Sequence, residues 1–316
     1  MNAATKLGGF ALAAGLVFGG AYGIGQATGS VGAASDAAHG SGQHSSGQHS
    51  SGQHGAAATP ISGELPAGGL MVAQDGYRFD LISGHAAAGA PEDFAFRILG
   101  PGGAAVTGFT PTHDKPLHLI VVRRDLTGFQ HVHPQMGTDG IWRIPLTFPT
   151  AGDYRAFADF APDGRSEEIT LGADVAVAGT YTPAALPAPS RAATVDDYTV
   201  RLDGDLVPGR TNELTLTVSK AGQPVTDLQP YLAAYGHLVA LRNGDLAYLH
   251  VHPDGTPGDG RTAAGPEIEF MAEVPSPGSY RLFLDFQHGG VVRTAEFTVP
   301  TGPAADGGIH HEGGHS

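Results

Sequence analysis

Two stretches of this chain read alike: HLIVVRRDLTGFQHVHP at His118–Pro134 and HLVALRNGDLAYLHVHP at His237–Pro253. They align without a gap. Each carries histidines at the same spacing, His118/His131/His133 and His237/His250/His252. In the second stretch, Asn243-Gly244 between apolar runs is a strong hairpin signal, because both residues of a primed turn need positive φ. Taken as a two-residue loop, it sets His237 opposite His250. Directly opposed side chains have Cβ atoms roughly 4.5–5.5 Å apart. His252 lies two residues on, so it shares that face. The same count sets His118 opposite His131 with His133 beside them, around a turn at Arg124-Asp125. Val239, Leu241 and Tyr248, and in the first copy Ile120, Val122 and Phe129, lie on the same face and predict a core-facing surface. The expectation is one three-histidine cluster per copy, each at an end of its own sheet.

The repetition extends outward. YRFDLI (Tyr77–Ile82) pairs with YTVRL (Tyr198–Leu202), and FAFRIL (Phe94–Leu99) with LTLTV (Leu214–Val218). GDYRAFADF (Gly152–Phe160) matches GSYRLFLDF (Gly278–Phe286), which places Asp159 and Asp285 as fourth ligands or as orienters of a histidine. His288 follows in the second copy only. Short Val/Leu/Phe/Tyr runs every ten residues or so, punctuated by turn residues, predict an all-β fold. The architecture expected is two tandem Ig-like or cupredoxin-like β-sandwich domains over 64–179 and 190–300, joined by a Pro/Ala linker at 180–189. A single large barrel is the alternative.

The flanks differ in kind. Lys6 precedes LGGFALAAGLVFGGAYGIG, long enough for one bilayer crossing, which marks residues 1–28 as a transmembrane anchor or a signal segment. Val31-Gly32-Ala33 is a loose cleavage pattern. Either reading puts the rest at the cell membrane facing outward, or secreted. Residues 29–63 contain SGQHSSGQHSSGQHG, with His44, His49 and His54 in a Gly/Ser tract expected to be disordered. A tail over 301–316 carries His310, His311 and His315.

Composition narrows the chemistry. The chain of 316 residues has no cysteine, which excludes disulfides, thiolate sites and cysteine nucleophiles. Its formal charge of -14 without a basic cluster argues against nucleic acid as a partner and is compatible with metal cations. Neutral imidazoles bind copper or zinc, and a carboxylate completes the site or fixes a tautomer. Cu(I) prefers sulfur, and beyond the initiator only Met71, Met136 and Met271 supply it; Met136, just after HVHPQ, is placed for an axial ligand.

With these residues the chain resembles a group of bacterial membrane-anchored or secreted proteins described as heavy-metal-associated. They carry a glycine-rich hydrophobic N-terminus, an HLIVVRxDLxxFxHVHP stretch and a G-x-Y-R-x-F-x-D-F stretch. The resemblance implies a role in handling metal, copper among the candidates. It is also similar to cupredoxins, but the ligand cysteine of that pattern is absent. Three functional classes follow. The leading expectation is an extracytoplasmic metal-binding protein for buffering, resistance or delivery, with one three-histidine site per repeat and a metal-transport partner left unnamed. The others are a structural or adhesion β-sandwich protein without metal, and an enzyme that uses a three-histidine metal for hydrolysis or redox chemistry.

Overall fold

The computed structural model describes residues 67–302, apart from Ser166 and His250. The segments expected at 1–28 and 29–63 and the tail beyond residue 302 lie outside the described residues. Every regular element among the described residues is a strand, so the expected all-β class is the observed one. No helix among them is long and apolar enough to cross a membrane.

The first half contains β1 (Ala73–Gln74), β2 (Tyr77–Leu81), β3 (His85–Ala87), β4 (Pro91–Leu99), β5 (Phe109–Thr110), β6 (His118–Arg123), β7 (Gln130–Val132), β8 (Gln135–Met136), β9 (Trp142–Thr147), β10 (Gly152–Pro162) and β11 (Ile169–Ala178). The second contains β12 (Ala192–Val195), β13 (Tyr198–Asp203), β14 (Arg210–Lys220), β15 (Gln223–Pro224), β16 (Gly236–Arg242), β17 (Tyr248–Leu249), β18 (Val251–Pro253), β19 (Glu267–Val274), β20 (Ser279–His288) and β21 (Val291–Pro300). One sheet of the first half runs β1-β2-β4-β9-β8 and the other β3-β11-β10-β6-β7. The second half repeats them as β12-β13-β14-β19-β18 and β17-β16-β20-β21. These are two tandem β-sandwiches rather than one barrel.

Each sandwich has its own core. In the first, Phe79, Phe94 and Ile98 of one sheet meet Leu119, Val121, Ala156 and Leu171 of the other. In the second, Val200, Leu216 and Phe270 meet Leu238, Ala240, Leu282 and Phe297. Alternation along β6 therefore sends Leu119 and Val121 inward. Ile120 and Val122, on the opposite face, are also wholly buried, but in a third cluster with Leu126, Phe157, Val239, Leu241, Leu246 and Phe283. That cluster joins the two halves face to face. Phe129 stacks on Phe283 with ring centroids 4.0 Å apart and planes 3° from parallel. Its counterpart pair, Phe157 and Tyr248, meets at 5.9 Å. The expected core-facing surface is thus the seam between the domains. HLIVVR and HLVALR are apolar at odd and even positions alike, the pattern of a strand buried on both faces.

The hairpin registers also differ from the count. Ile120 pairs with His131 and Leu119 with Val132, which brings His133 rather than His131 opposite His118. In the second half Leu241 pairs with Tyr248. Both are shifted by two residues because the loops are longer than two. Arg242 N–H donates to Ala247 O at 2.9 Å and Leu246 N–H to Arg242 O at 3.0 Å, closing a four-residue loop. Asp125 and Asp245 accept from the arginines before them, Arg123 and Arg242. Leu126 (φ 65°) and Leu246 (φ 64°) then adopt left-handed conformations, which costs roughly 1–2 kcal/mol each. Burial of both side chains in the seam offsets that cost. The turns are equivalent only if Asp125 matches Asp245, so the ungapped alignment conceals two compensating one-residue shifts. An even shift preserves the face, which is why the histidines stay together.

Candidate metal centre

HVHP occurs where the chain changes sheets. In the first half it leaves β7 and enters β8 of the opposite sheet; in the second it passes from β17 to β18. Pro134, between β7 and β8, donates no ladder hydrogen bond, and Pro253 is the last residue of β18.

His118, at the start of β6, shares the face of Ile120 and Val122 and so projects into the seam, only 2% exposed. The residue at the same place in β16, His237, projects from the other side and is 8% exposed. Their rings stack at 5.3 Å, 17° from parallel. His131 completes the group, its ring 4.7 Å from His237. His118, His131 and His237 each offer one ligand nitrogen, and all three nitrogens lie within 4.8 Å of one another. His118, His131 and His133 of the first half thus converge as expected, and His237 of the second half joins them across the seam.

The outer partners decide which ring nitrogens carry protons. His118 Nε2 lies 3.0 Å from Thr112 O, a carbonyl that only accepts, so Nε2–H donates. His131 Nδ1 lies 2.8 Å from Asp285 Oδ2, so Nδ1–H donates to the carboxylate. In neutral rings the remaining nitrogens, His118 Nδ1 and His131 Nε2, then carry lone pairs, and they face each other at 3.0 Å. His133 Nε2 comes within 3.2 Å of the same His118 Nδ1. His237 Nδ1 is buried with no hydrogen-bond partner among the described residues. Nitrogens bound tetrahedrally to one zinc at 2.0–2.1 Å would stand about 3.3–3.4 Å apart, a spacing that the His118–His131 and His118–His133 pairs approach, while the group with His237 spans up to 4.8 Å. The donor set therefore fits a cation that prefers imidazole.

Burial disfavours protonation of His118, His133 and His237. His118 is pushed down to about 3, first by burial and then by the charge of His131. His133 falls to about 3 for the same two reasons. His237 is driven well below its ordinary value, again by burial first. Neutral imidazoles need lose no proton before they bind a metal.

The remaining expected residues are placed differently. Asp285 is 3% exposed, holds His131 of the other half and accepts from Thr294 Oγ1 at 2.6 Å, so it orients that imidazole. Asp159 accepts from Thr170 Oγ1 at 3.0 Å. Its carboxyl is raised to about 7, by burial first and by Glu168 second. His252 is exposed on β18 and acts on His113 through its charge. His250 lies outside the described residues. His288 sits elsewhere, bonded to Tyr198 Oη at 2.7 Å and Asp227 Oδ1 at 3.1 Å. The expected cluster of His118, His131 and His133 is therefore present, and of the second expected triad His237 joins it across the seam, His252 is exposed on β18 and His250 lies outside the described residues.

His113 is an addition that the hairpin spacing did not reveal. Its ring packs edge-on to His237 at 5.2 Å. It sits in a tight turn with His113 (φ 49°) and Asp114 (φ 63°) both left-handed. The signal was the short polar run THDK just before His118.

The comparisons bear on family and not on chemistry. Residues 72–178 and 193–302 both match the family described as Domain of unknown function (DUF8832). Comparison with curated proteins gives no match. Solved structures with some likeness include the Escherichia coli adhesin FdeC, 16% identical over 73% of this chain and 65% of that one, with a TM-score of 0.23. Others are Escherichia coli alpha-2-macroglobulin activated by porcine elastase (14% identity, 72% of this chain and 20% of that one, TM-score 0.23) and the S-layer protein SbsC, domains 5-6 (12%, 71% and 96%, TM-score 0.20). This chain thus spans just under two thirds of the adhesin chain and a fifth of the macroglobulin. Likenesses this distant carry no functional argument. The two matched segments cover more than half of the sequence, and the chain belongs to the DUF8832 family, with two copies of its domain.

Proposed function

We propose that this protein is an extracytoplasmic metal-binding protein that holds one copper or zinc ion between its two β-sandwiches. The observation that carries this reading is the pair of facing lone pairs on His118 Nδ1 and His131 Nε2 at 3.0 Å. Two neutral acceptors at that distance repel unless a cation lies between them. Asp285 and Thr112 fix both tautomers from outside, the usual arrangement behind metal-bound imidazoles. His237 supplies a third nitrogen and His133 flanks the group. The outward location rests on the apolar N-terminal stretch, and the His-rich flanks would collect ions loosely.

A second reading has its own support. A proton on His131 Nε2 would also satisfy His118 Nδ1, and the imidazolium would pair with Asp285. The cluster would then be a buried polar lock that holds the two sandwiches in a structural or adhesive role.

Calorimetric titration of the full chain with Cu²⁺ and with Zn²⁺ separates them. The metal reading expects one tight site per chain above a weak background from the flanks. That site should vanish in His118→Ala and in His237→Ala. Equal affinity and stoichiometry in both variants would leave the polar lock standing.

A further inference from the structure

A cavity of about 430 Å³ opens in the first half, lined among others by Phe109, Lys115, Pro116, His133, Met136 and Trp142. That volume falls within the range of small-molecule sites, roughly 300–1,000 Å³. Its apolar part is aromatic and rigid. Trp142 meets Phe109 edge-on at 5.3 Å and stacks on Phe96 at 6.3 Å. The indole Nε1–H of Trp142 is buried and has no acceptor among the described residues.

Lys115 supplies a charge. The chain holds 31 acidic residues against 17 basic ones. Even so, Lys115 is in none of the ion pairs found among the described residues. Its position is set by the tight turn at His113-Asp114, where Thr112 N–H donates to Lys115 O at 2.9 Å and Lys115 N–H to Thr112 O at 3.0 Å. Its charge reaches the site, since it helps to hold His118 and His133 in the neutral form.

The repeat isolates what is special. The second half has the same turn, with Leu232 (φ 55°) and Ala233 (φ 62°) left-handed and Tyr231 bonded both ways to Ala234. There Ala234 stands for Lys115 and Gly255 for Met136, and Trp142 is the chain's only tryptophan. The backbone device is duplicated; the cation and the aromatic wall belong to the first half alone. Turn formation does not need them.

We propose that this pocket binds a small organic carboxylate with a flat apolar body. The carboxylate pairs with Lys115, and the body lies against the half-buried Phe109 and Met136, with the buried Trp142 behind them. The pocket shares only His133 with the metal centre, so it is tested on metal-free protein and stands or falls separately.

The experiment follows the indole N–H resonance of Trp142, the only one in the chain, while the full chelator-treated protein is titrated with benzoate and then with benzamide. Benzoate should give a saturable shift, and neutral benzamide should bind at least about tenfold more weakly. Lys115→Met should weaken benzoate by a similar factor, while Lys115→Arg keeps affinity within about threefold. An unfolding midpoint like that of wild type shows that the variants fold; Lys115→Arg serves as the comparison if Lys115→Met does not. The proposal is overturned if benzamide binds as well as benzoate, or if Lys115→Met leaves affinity unchanged. It is also overturned if no shift saturates below about 50 mM, weaker than a rigid ligand of this size should bind in a fitted pocket.

Discussion

His131 of the first sandwich donates its Nδ1–H to Asp285 of the second across 2.8 Å, although 154 positions separate them in sequence. This bond ties a candidate ligand of one half to a carboxylate of the other, and the group of His118, His131 and His237 is complete only when the halves are docked. Asp285→Asn should lower copper or zinc affinity about 10–100-fold, the usual effect of removing an outer partner of a ligating histidine. Asp159→Asn, which bonds Thr170 instead, should leave affinity within about threefold. Competition with a chromophoric chelator measures both; equal losses would mean that Asp285 does not orient the ligand.

Separating the halves should destroy the site without touching a histidine. Phe283 is wholly buried in the seam and stacked on Phe129. Phe283→Ala should cost about 3–5 kcal/mol in urea unfolding, from lost burial and the cavity left behind. It should also weaken metal binding and let the two sandwiches unfold in separate transitions. Unchanged affinity would mean that the cluster holds together without this packing.

Acid should weaken the metal-free fold. His118 and His133 titrate near 3 when folded and near 6.5 when unfolded. Between those values the unfolded chain takes up protons that the folded chain refuses, so stability falls as pH drops through the window. The slope is at most about 1.4 kcal/mol per pH unit for each imidazole kept neutral. Asp159 acts in the opposite direction: raised from 3.8 to about 7, it weakens the fold as pH rises between those values. His133→Asn should therefore reduce the loss in urea midpoint between pH 6.5 and 4.5, and Asp159→Asn should increase it. Slopes identical to wild type would show that these groups are not held in the stated forms.

Gly172 lies where no side chain fits. A Cβ there would stand 2.0 Å from Gly69 O and 2.6 Å from Arg155 Nε, the atoms of a bond that anchors residue 69 to β10. Gly172→Ala should cost about 1–3 kcal/mol, read as a lower melting temperature. A melting temperature unchanged from wild type would mean that the residue 69 segment moves aside at no cost.

Much of this was legible beforehand. The strand periodicity, the two-fold repetition and the sandwich class followed from short apolar runs with turn residues between them. The histidines of the first copy were correctly placed together, because a register error of two residues leaves the face unchanged. Which sheet neighbours that face was misjudged. Ile120 and Val122 resemble any core residues, and only the fully apolar HLIVVR hinted that both faces are covered. His113 escaped notice because its contact with His237 is made through space by a left-handed turn. The four-residue loop at Asn243 was missed because Asp245 and Leu246, which extend it, look like ordinary strand residues.

By itself, the sequence determined the strands, their two-fold repetition and the grouping of His118, His131 and His133. Those depend on local periodicity, turn chemistry and the parity of a pleated strand. Tertiary structure decided which histidine of the second half meets them. Burying Ile120, Val122, Phe157, Val239, Leu241 and Phe283 against one another removes two apolar sheet faces from water. That docking brings His237 to His118 and Asp285 to His131, pairs that no spacing within either half could set.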